Sequence, residues 1–428
     1  MTVVARRPEA AADATTTPAV EPASPLERLR TVGGKRYERY RVSAEQYRQF
    51  RANGFLVVRG LVDADDVAEL RQHTEDLMQG RLPEQNRPMA DRDPSKDTGT
   101  TGQGLEAPPE HLTPEEKAQY FLRIHMLHRR LELHERYLLH PRVLDVLEAI
   151  HGPDVLAMQT MLFLKPPGKP GQGWHQDSYY IPTHPDTLIG AWIAVDDCDE
   201  LNGAMWFAKG SQTEPVYPPS TGYGYGDRLL ENIEHVGGVS NPNDAENDLA
   251  RIGDRYDQVL VSAKAGDVVF FGGHVLHRSK TNYTADRYRR AFVSHYCNAR
   301  SFTQWTGGPT DGPNAGTIDP ETQMANGIHI LARGDSHLPF ARPRFGTPCA
   351  AMLTAEERRA AYRYGAAAAM GNMDDGMMDM MPTNPYATDD HEDEEQGAET
   401  PKPKPPYSQA RTAGELKDQP PVPLVTTR

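Results

Sequence analysis

Cysteine is scarce in this chain, with three residues in 428: Cys198, Cys297 and Cys349. Their odd number and wide spacing exclude a disulfide framework and offer no zinc-ligand pattern. Unpaired thiols suit a reducing compartment, so a cytoplasmic location is expected. Long apolar runs are also missing. No stretch approaches the roughly 20 residues that span a bilayer, and no membrane partner is expected. The segment MTVVARRPEAAADATTTPAVEPASP carries two arginines but no apolar run of signal-peptide type, and reads as a disordered leader. Basic excess is the third absence. Lys and Arg total 46 against 60 Asp and Glu, a net charge of −14. Ten of those acids lie in residues 371–399, which contain no Lys or Arg, leaving −4 for the remainder. With no broad basic face signalled, nucleic acid is not expected as a partner. Oligomeric state is not encoded legibly.

A chain of this length can bury a sizeable core, and one large domain with tails is expected. Residues 1–25 are Ala/Pro/Thr-rich, and 371–428 run from Met/Asp-rich through acidic to Pro/Lys-rich; both read as disordered, leaving a single domain over 26–370. Ser43 with Gln46 forms a capping-box signature for a helix to about Ala52. GFLVVRGLV reads as a strand, and Asp63 as the cap of a helix from Ala64 to about Met78. Further helices are expected at about 114–128, 141–151 and 354–370. Between roughly 150 and 300, strands alternate with Gly/Pro/Asn turns in the manner of a jelly roll. The fold class is thus mainly β with flanking helices. Residues 80–112 and an insertion at 213–255 are long and loop-like, and at least one is expected to cover the site as a lid. Residues 300–350 read as irregular chain that packs across the barrel.

The chemistry is carried by two segments, VLAMQTMLFLKPPGKPGQGWHQDS and GDVVFFGGHVLHRSKTNYTADRYRRAFVSHY. In the first, His175 and Asp177 are two apart, so on a strand both face one way while Gln176 points away. His-x-Asp occurs three times, but His184-Pro185-Asp186 has the look of a turn and His391-Glu392-Asp393 lies in the acidic tail. In the second, His277 follows an apolar run. Two imidazoles and a carboxylate make the facial set of non-haem Fe(II) oxygenases, with positions left open for an organic acid and O2. His274, three residues earlier, is a rival third ligand. In RYRRAFVSHY, Arg289, Ala291, Val293 and His295 share one face, and Arg290 falls on the other. An arginine fork is the natural partner for the far carboxylate of 2-oxoglutarate. Ser279 lies on the His277 face and can support it.

These residues resemble the phytanoyl-CoA dioxygenase family of Fe(II)/2-oxoglutarate oxygenases. The matching pieces are TMLFLKPPG (160–168), HQD (175–177), AW (191–192), NGAMWFAKGS (202–211) and GDVVFF…H.S…YRRA (266–291). The resemblance implies a double-stranded β-helix, cupin-like core. It implies that His175, Asp177 and His277 ligate iron, and that Arg289 and Ser279 hold 2-oxoglutarate. It places Met161, Trp192 and Arg123 in the same pocket, with Gln159 a further candidate on the Met161 face. The family spacing favours His277 over His274. One departure is visible: the Pro-Gly-Ser-His common in the family after the Asn-Gly turn is Ala208-Lys209-Gly210-Ser211-Gln212 here.

The reaction implied is hydroxylation of an aliphatic C–H of a small molecule, with 2-oxoglutarate and O2 consumed and succinate and CO2 released. Asp177 is present, whereas halogenating relatives replace that carboxylate with a small residue. An acyl thioester, an amino acid derivative and a secondary metabolite are all open as substrate, with Tyr179, Tyr180 and Trp206 as candidate substrate contacts. The alternative is a non-catalytic jelly roll that binds a ligand or partner; loss of a triad member would favour it, and none is lost. His125, His128 and His134 are read as helix-surface or core residues, His295 as a packing or hydrogen-bonding one, and the Met373–Met381 cluster as linker.

Overall fold

Period-two apolar segments separated by Gly, Pro and Asn turns become strands, and the pattern locates most of them. The structure is a computed structural model that describes residues 24–85, 87–88, 101–102, 105–217, 243–303 and 329–361. In chain order the strands that build the core are β1 (Phe55–Val58), β2 (Thr101–Gly102), β3 (Arg123–His125), β4 (Val155–Lys165), β5 (Ile189–Ala194) and β6 (Met205–Ala208). They continue with β7 (Gln258–Val261), β8 (Val268–Gly272), β9 (His277–Ser279), β10 (Arg289–Asn298) and β11 (Ile330–Arg333).

Eight of these form one sheet in the order β1-β8-β5-β10-β4-β3-β2, with β11 pairing β4 as well. A second sheet of three runs β7-β6-β9. The two pack face to face as a jelly roll, the double-stranded β-helix expected from the sequence. Alternation decides what lies between them. Trp192, Ala194, Val269, Phe271, Ala291 and Val293 from the large sheet meet Met205, Phe207 and Val261 from the small one. The opposite face of the large sheet presents Leu162, Leu164, Ile193, Phe270 and Phe292 to the helices. Every residue of β5 is therefore buried.

Four helices cover the large sheet's outer side: α1 (Ala44–Asn53), α2 (Ala64–Met78), α3 (Glu132–Leu138) and α4 (Pro141–His151). The α1 capping box forms as read, with Ser43 Oγ accepting from Gln46 N and Gln46 Oε1 accepting from Ser43 N. Asp63 opens α2 without a side-chain cap; its carboxylate instead meets Arg142 at 2.6 Å and Lys35 at 3.1 Å.

Two expectations are corrected. The helix expected over 114–128 is only Pro114–Ala118, after which β3 forms against β4, with Ile124 opposite Leu162. Residues 300–350 are not wholly irregular, because Ile330 and Leu331 pair with Ala157 and Leu156. The tail and its Met cluster, nearly all of the leader, the middle of the 80–112 segment and most of the 213–255 segment lie outside the described residues, as does the second half of the 354–370 helix. Among the described residues, no helix is long and apolar enough to cross a membrane.

Candidate active site

The two histidines that matter most are clamped together by backbone. His175 N donates to His277 O and His277 N to His175 O, both at 3.1 Å, forming an isolated antiparallel bridge. Their rings lie 4.1 Å apart. Gln176 continues extended, and a short helix then begins at Asp177. The strand argument for His-x-Asp therefore holds only through Gln176, yet it brings Asp177 to the same place. Donor atoms of His175, Asp177 and His277 all lie within 4.8 Å of one another. Both histidines are buried, at 4% and 5% exposure.

Ring orientation follows from the backbone. His175 Nδ1 lies 2.7 Å from Gly173 O, and His277 Nδ1 lies 3.1 Å from Val275 O. Each Nδ1–H is thereby donated to a carbonyl, and each Nε2 is left facing Asp177 Oδ1, at 3.6 and 3.8 Å. Burial and then His277 push His175 down to about 3, so it is a neutral ring with a free lone pair. Burial works to raise the Asp177 carboxyl, but His277, His295 and His175 hold it below the usual carboxylate range. Phe207 and Phe271 back the His277 ring, at 5.6 and 4.8 Å between centroids. Two imidazoles and one carboxylate, walled by aromatics, fit a six-coordinate Fe(II) with open positions.

Gln176 turns away, as expected. Its amide donates to Pro215 O and His274 O and accepts from Tyr217 N, while Asn247 donates to Trp174 O. Both described ends of the 213–255 insertion are thus tied to the residues flanking His175. His274, the rival ligand, is engaged elsewhere: its Nε2 lies 2.6 Å from Asp186 Oδ2.

A second cluster lies along β4 and β10. Arg289 is buried and Arg290 faces outward into a two-pronged pair with Asp196, so the strand facing is as read. Among the described residues no carboxylate pairs with Arg289, and its Nε has no partner. Ser279 Oγ accepts from Lys165 Nζ at 3.0 Å and from Gln172 N at 3.2 Å, which leaves its own hydrogen to donate. Arg289 approaches the same oxygen at 3.5 Å. Lys165 spends its other hydrogens on Lys280 O and Gly203 O. A cleft lined by Arg123, Phe163, Lys165, Lys169, Gln172 and Arg289 opens here. A buried guanidinium, an ammonium and a hydroxyl without a counter-ion fit the carboxylate of an organic acid.

Of the remaining candidates, Met161 and Trp192 face the inter-sheet space with Gln159 on the Met161 face, and Arg123 and His125 sit opposite Phe163 and Met161. Gln159 Nε2 lies 3.0 Å from His295 Nδ1, whose Nε2 lies 2.8 Å from Asp177 Oδ2. Tyr180 stands 6.4 Å from the His175 ring, and Tyr179 is 42% exposed beside it. Trp206 does not join them. It pairs with Arg278 on the face of β6 opposite Phe207, and packs against the Trp174 cluster under Lys280. Sequence reasoning did not single out Lys165, although it shares the period-two face of Gln159, Met161 and Phe163. His125 is a strand residue that faces the interior; His128 and His134 are buried on the helix side.

A family model described as phytanoyl-CoA dioxygenase (PhyH) matches residues 50–291. The chain belongs to the phytanoyl-CoA dioxygenase family. Peroxisomal phytanoyl-CoA dioxygenase of Rattus norvegicus is 29% identical over 260 residues, covering 60% of this chain and 68% of that protein. The phytanoyl-CoA dioxygenase domain-containing protein 1 of Danio rerio is 24% identical, covering 61% and 92%. Among solved structures, the chain is similar to the non-heme alpha ketoglutarate dependent carbocyclase SnoK at 18% identity and a TM-score of 0.44, covering 63% of this chain and 89% of that one. Family membership and a His-Asp-His cluster able to hold a metal together make this chain a 2-oxoglutarate-dependent non-haem iron dioxygenase, with Fe(II), 2-oxoglutarate and O2 as its requirements.

Proposed function

We propose that the chain hydroxylates an aliphatic C–H of a small molecule, and that His175, Asp177 and His277 are the residues that hold the iron. The observation that carries this reading is the convergence of those three donors, with Ser279, two residues after His277, approached by a buried Arg289 that has no carboxylate partner among the described residues. Arg289 and Ser279 take the far carboxylate of 2-oxoglutarate. Lys165 does not touch it; it fixes the Ser279 oxygen and adds positive charge. Met161, Trp192, Gln159 and Arg123 line the remainder of that pocket. Bound iron, with 2-oxoglutarate and O2, supplies a two-electron oxidation that leaves succinate, CO2 and a hydroxyl on the substrate. The chain's part is to orient the reactants, keep water from the dry face formed by Phe207, Phe271 and Trp192, and leave the metal a free side.

Tyr180, with Tyr179 at the rim, stands where a substrate would approach His175. The relatives are named for an acyl-coenzyme A, so an acyl thioester is the first class to try, followed by amino acid derivatives and secondary metabolites. Cys198, Cys297 and Cys349 are all buried and unpaired, which favours a cytoplasmic setting. The test is a screen of lysate metabolites for substrate-stimulated succinate formation by anaerobically loaded protein. About one Fe(II) per chain is expected. Turnover like wild type in both Asp177→Ala and His277→Ala proteins would sink the ligand assignment.

A further inference from the structure

The two oxygens of Asp177 are not equivalent. Oδ1 faces the Nε2 atoms of His175 and His277, whereas Oδ2 is taken by His295 Nε2 at 2.8 Å. A carboxylate only accepts, so His295 Nε2 carries the hydrogen. Nδ1 in turn faces a neighbour whose nitrogen can only donate, so Nδ1 accepts. That neighbour is the Gln159 amide nitrogen, 3.0 Å away. The chain of donation runs from Gln159 to His295 to Asp177, and all the hydrogens point toward the carboxylate.

The backbone is shaped for this contact. Gln159 and His295 are direct partners across the β4–β10 ladder, and the register slips between His295 and Tyr296, where Met158 is the extra residue. Such a bulge re-aims side chains. Here it separates the inward pair from Tyr296, which turns outward to donate to Leu138 O. Gln159 and His295 are buried at 1% and 3% exposure.

We propose that His295, oriented by Gln159, is a positioning residue that restricts Asp177 to coordination through one oxygen. A two-oxygen carboxylate would occupy one more position on the ion. Two imidazoles, one oxygen and a two-pronged organic acid leave a six-coordinate metal one position; the hydrogen bond to Oδ2 keeps it open. This rests on the assignment of His175, Asp177 and His277 as ligands, and the experiment separates the two ideas.

Fe(II) affinity is measured anaerobically in wild-type, His295→Ala, His295→Gln and Gln159→Leu proteins, together with the visible charge-transfer absorption of the Fe(II)–2-oxoglutarate complex. Failure of the wild type to bind stoichiometric Fe(II) would remove the ligand assignment itself. With that met, His295→Ala is expected to lose about ten- to a hundred-fold in affinity and to shift or weaken the absorption. His295→Gln places an N–H near the lost Nε2–H and is expected to recover most of both. Gln159→Leu keeps the ring but frees its tautomer, with a smaller loss in the same direction. Wild-type affinity and absorption in His295→Ala, or a His295→Gln protein as defective as His295→Ala, would overturn the proposal. Should His295→Ala not fold, Gln159→Leu decides alone, and wild-type values there overturn it.

Discussion

Lys165 and Arg289 face each other directly across the β4–β10 ladder, and both reach Ser279 Oγ, at 3.0 and 3.5 Å. Like charges directly opposite on a sheet repel. Burial, and then Arg289, drive the Lys165 ammonium well below its ordinary value, and burial lowers Arg289 to about 10. A carboxylate held by Arg289 and Ser279 adds negative charge near both groups and shifts both back toward their ordinary values. Binding of 2-oxoglutarate is therefore expected to take up protons as the pH is raised from neutral toward alkaline. Calorimetry in buffers of different ionisation enthalpy measures this directly. Binding without proton exchange across that range would show that Lys165 stays charged in the free protein.

Replacing the two neighbouring arginines should give opposite outcomes. Charged two-pronged contacts contribute roughly 1.5–3 kcal/mol, so Arg289→Ala is expected to weaken 2-oxoglutarate about ten- to a hundred-fold. Arg290→Ala should leave that affinity alone and lower thermal stability, since Arg290 pairs with Asp196 and Glu75. Titration of 2-oxoglutarate beside a melting curve tests both. The reverse ranking would mean the strand faces the other way.

Gly171 sets how closely the 166–172 turn can lie on β9. A Cβ there would stand 1.7 Å from Ser279 O. Gly171→Ala must push the turn off, taking the Gln172 N–H from Ser279 Oγ. A loss of about 1–3 kcal/mol in stability is expected, with weaker 2-oxoglutarate binding. Unchanged 2-oxoglutarate affinity in a folded Gly171→Ala protein would show that the turn does not hold Ser279.

Acid should destabilise the fold in a defined window. Burial lowers His128 to about 3 and His151 to about 4, and carries His134 well below its ordinary value. These rings are neutral when folded but protonate near pH 6.5 when unfolded. Their contribution is complete above that pH. It falls by up to about 1.4 kcal/mol per histidine for each pH unit below, until the folded value is reached. His274 runs the other way: burial opposes its charge, but Asp186 raises it, so its contribution fades as the pH rises. Urea unfolding at a series of pH values would read this, with His128→Gln flattening the slope between pH 6.5 and 4. An identical slope in that protein would remove His128 from the account.

The jelly roll and the facing of its strand residues were legible because strand alternation is local. Arg289 and Arg290 sort to opposite faces from the RYRRAFVSHY pattern alone, and the Ser43–Gln46 cap is written in adjacent letters. What escaped depends on partners far along the chain. β3 exists because β4 offers an edge to Arg123–His125, and β11 because the start of β4 offers another to Ile330–Arg333. Trp206 was grouped with Tyr179 and Tyr180 as a substrate contact, but on its strand it faces away from Phe207, which is the residue that backs His277. His295 was visible on the right face; only the bulge beside it and the distance to Asp177 show what it grips.

The reciprocal hydrogen bonds between His175 and His277 have a consequence for the life of the protein. The spacing of the two imidazoles is fixed by the main chain, not by the ion. On the proposed ligand assignment, loading is therefore expected to follow folding, and an ion removed by a chelator is expected to be replaceable without rebuilding the barrel.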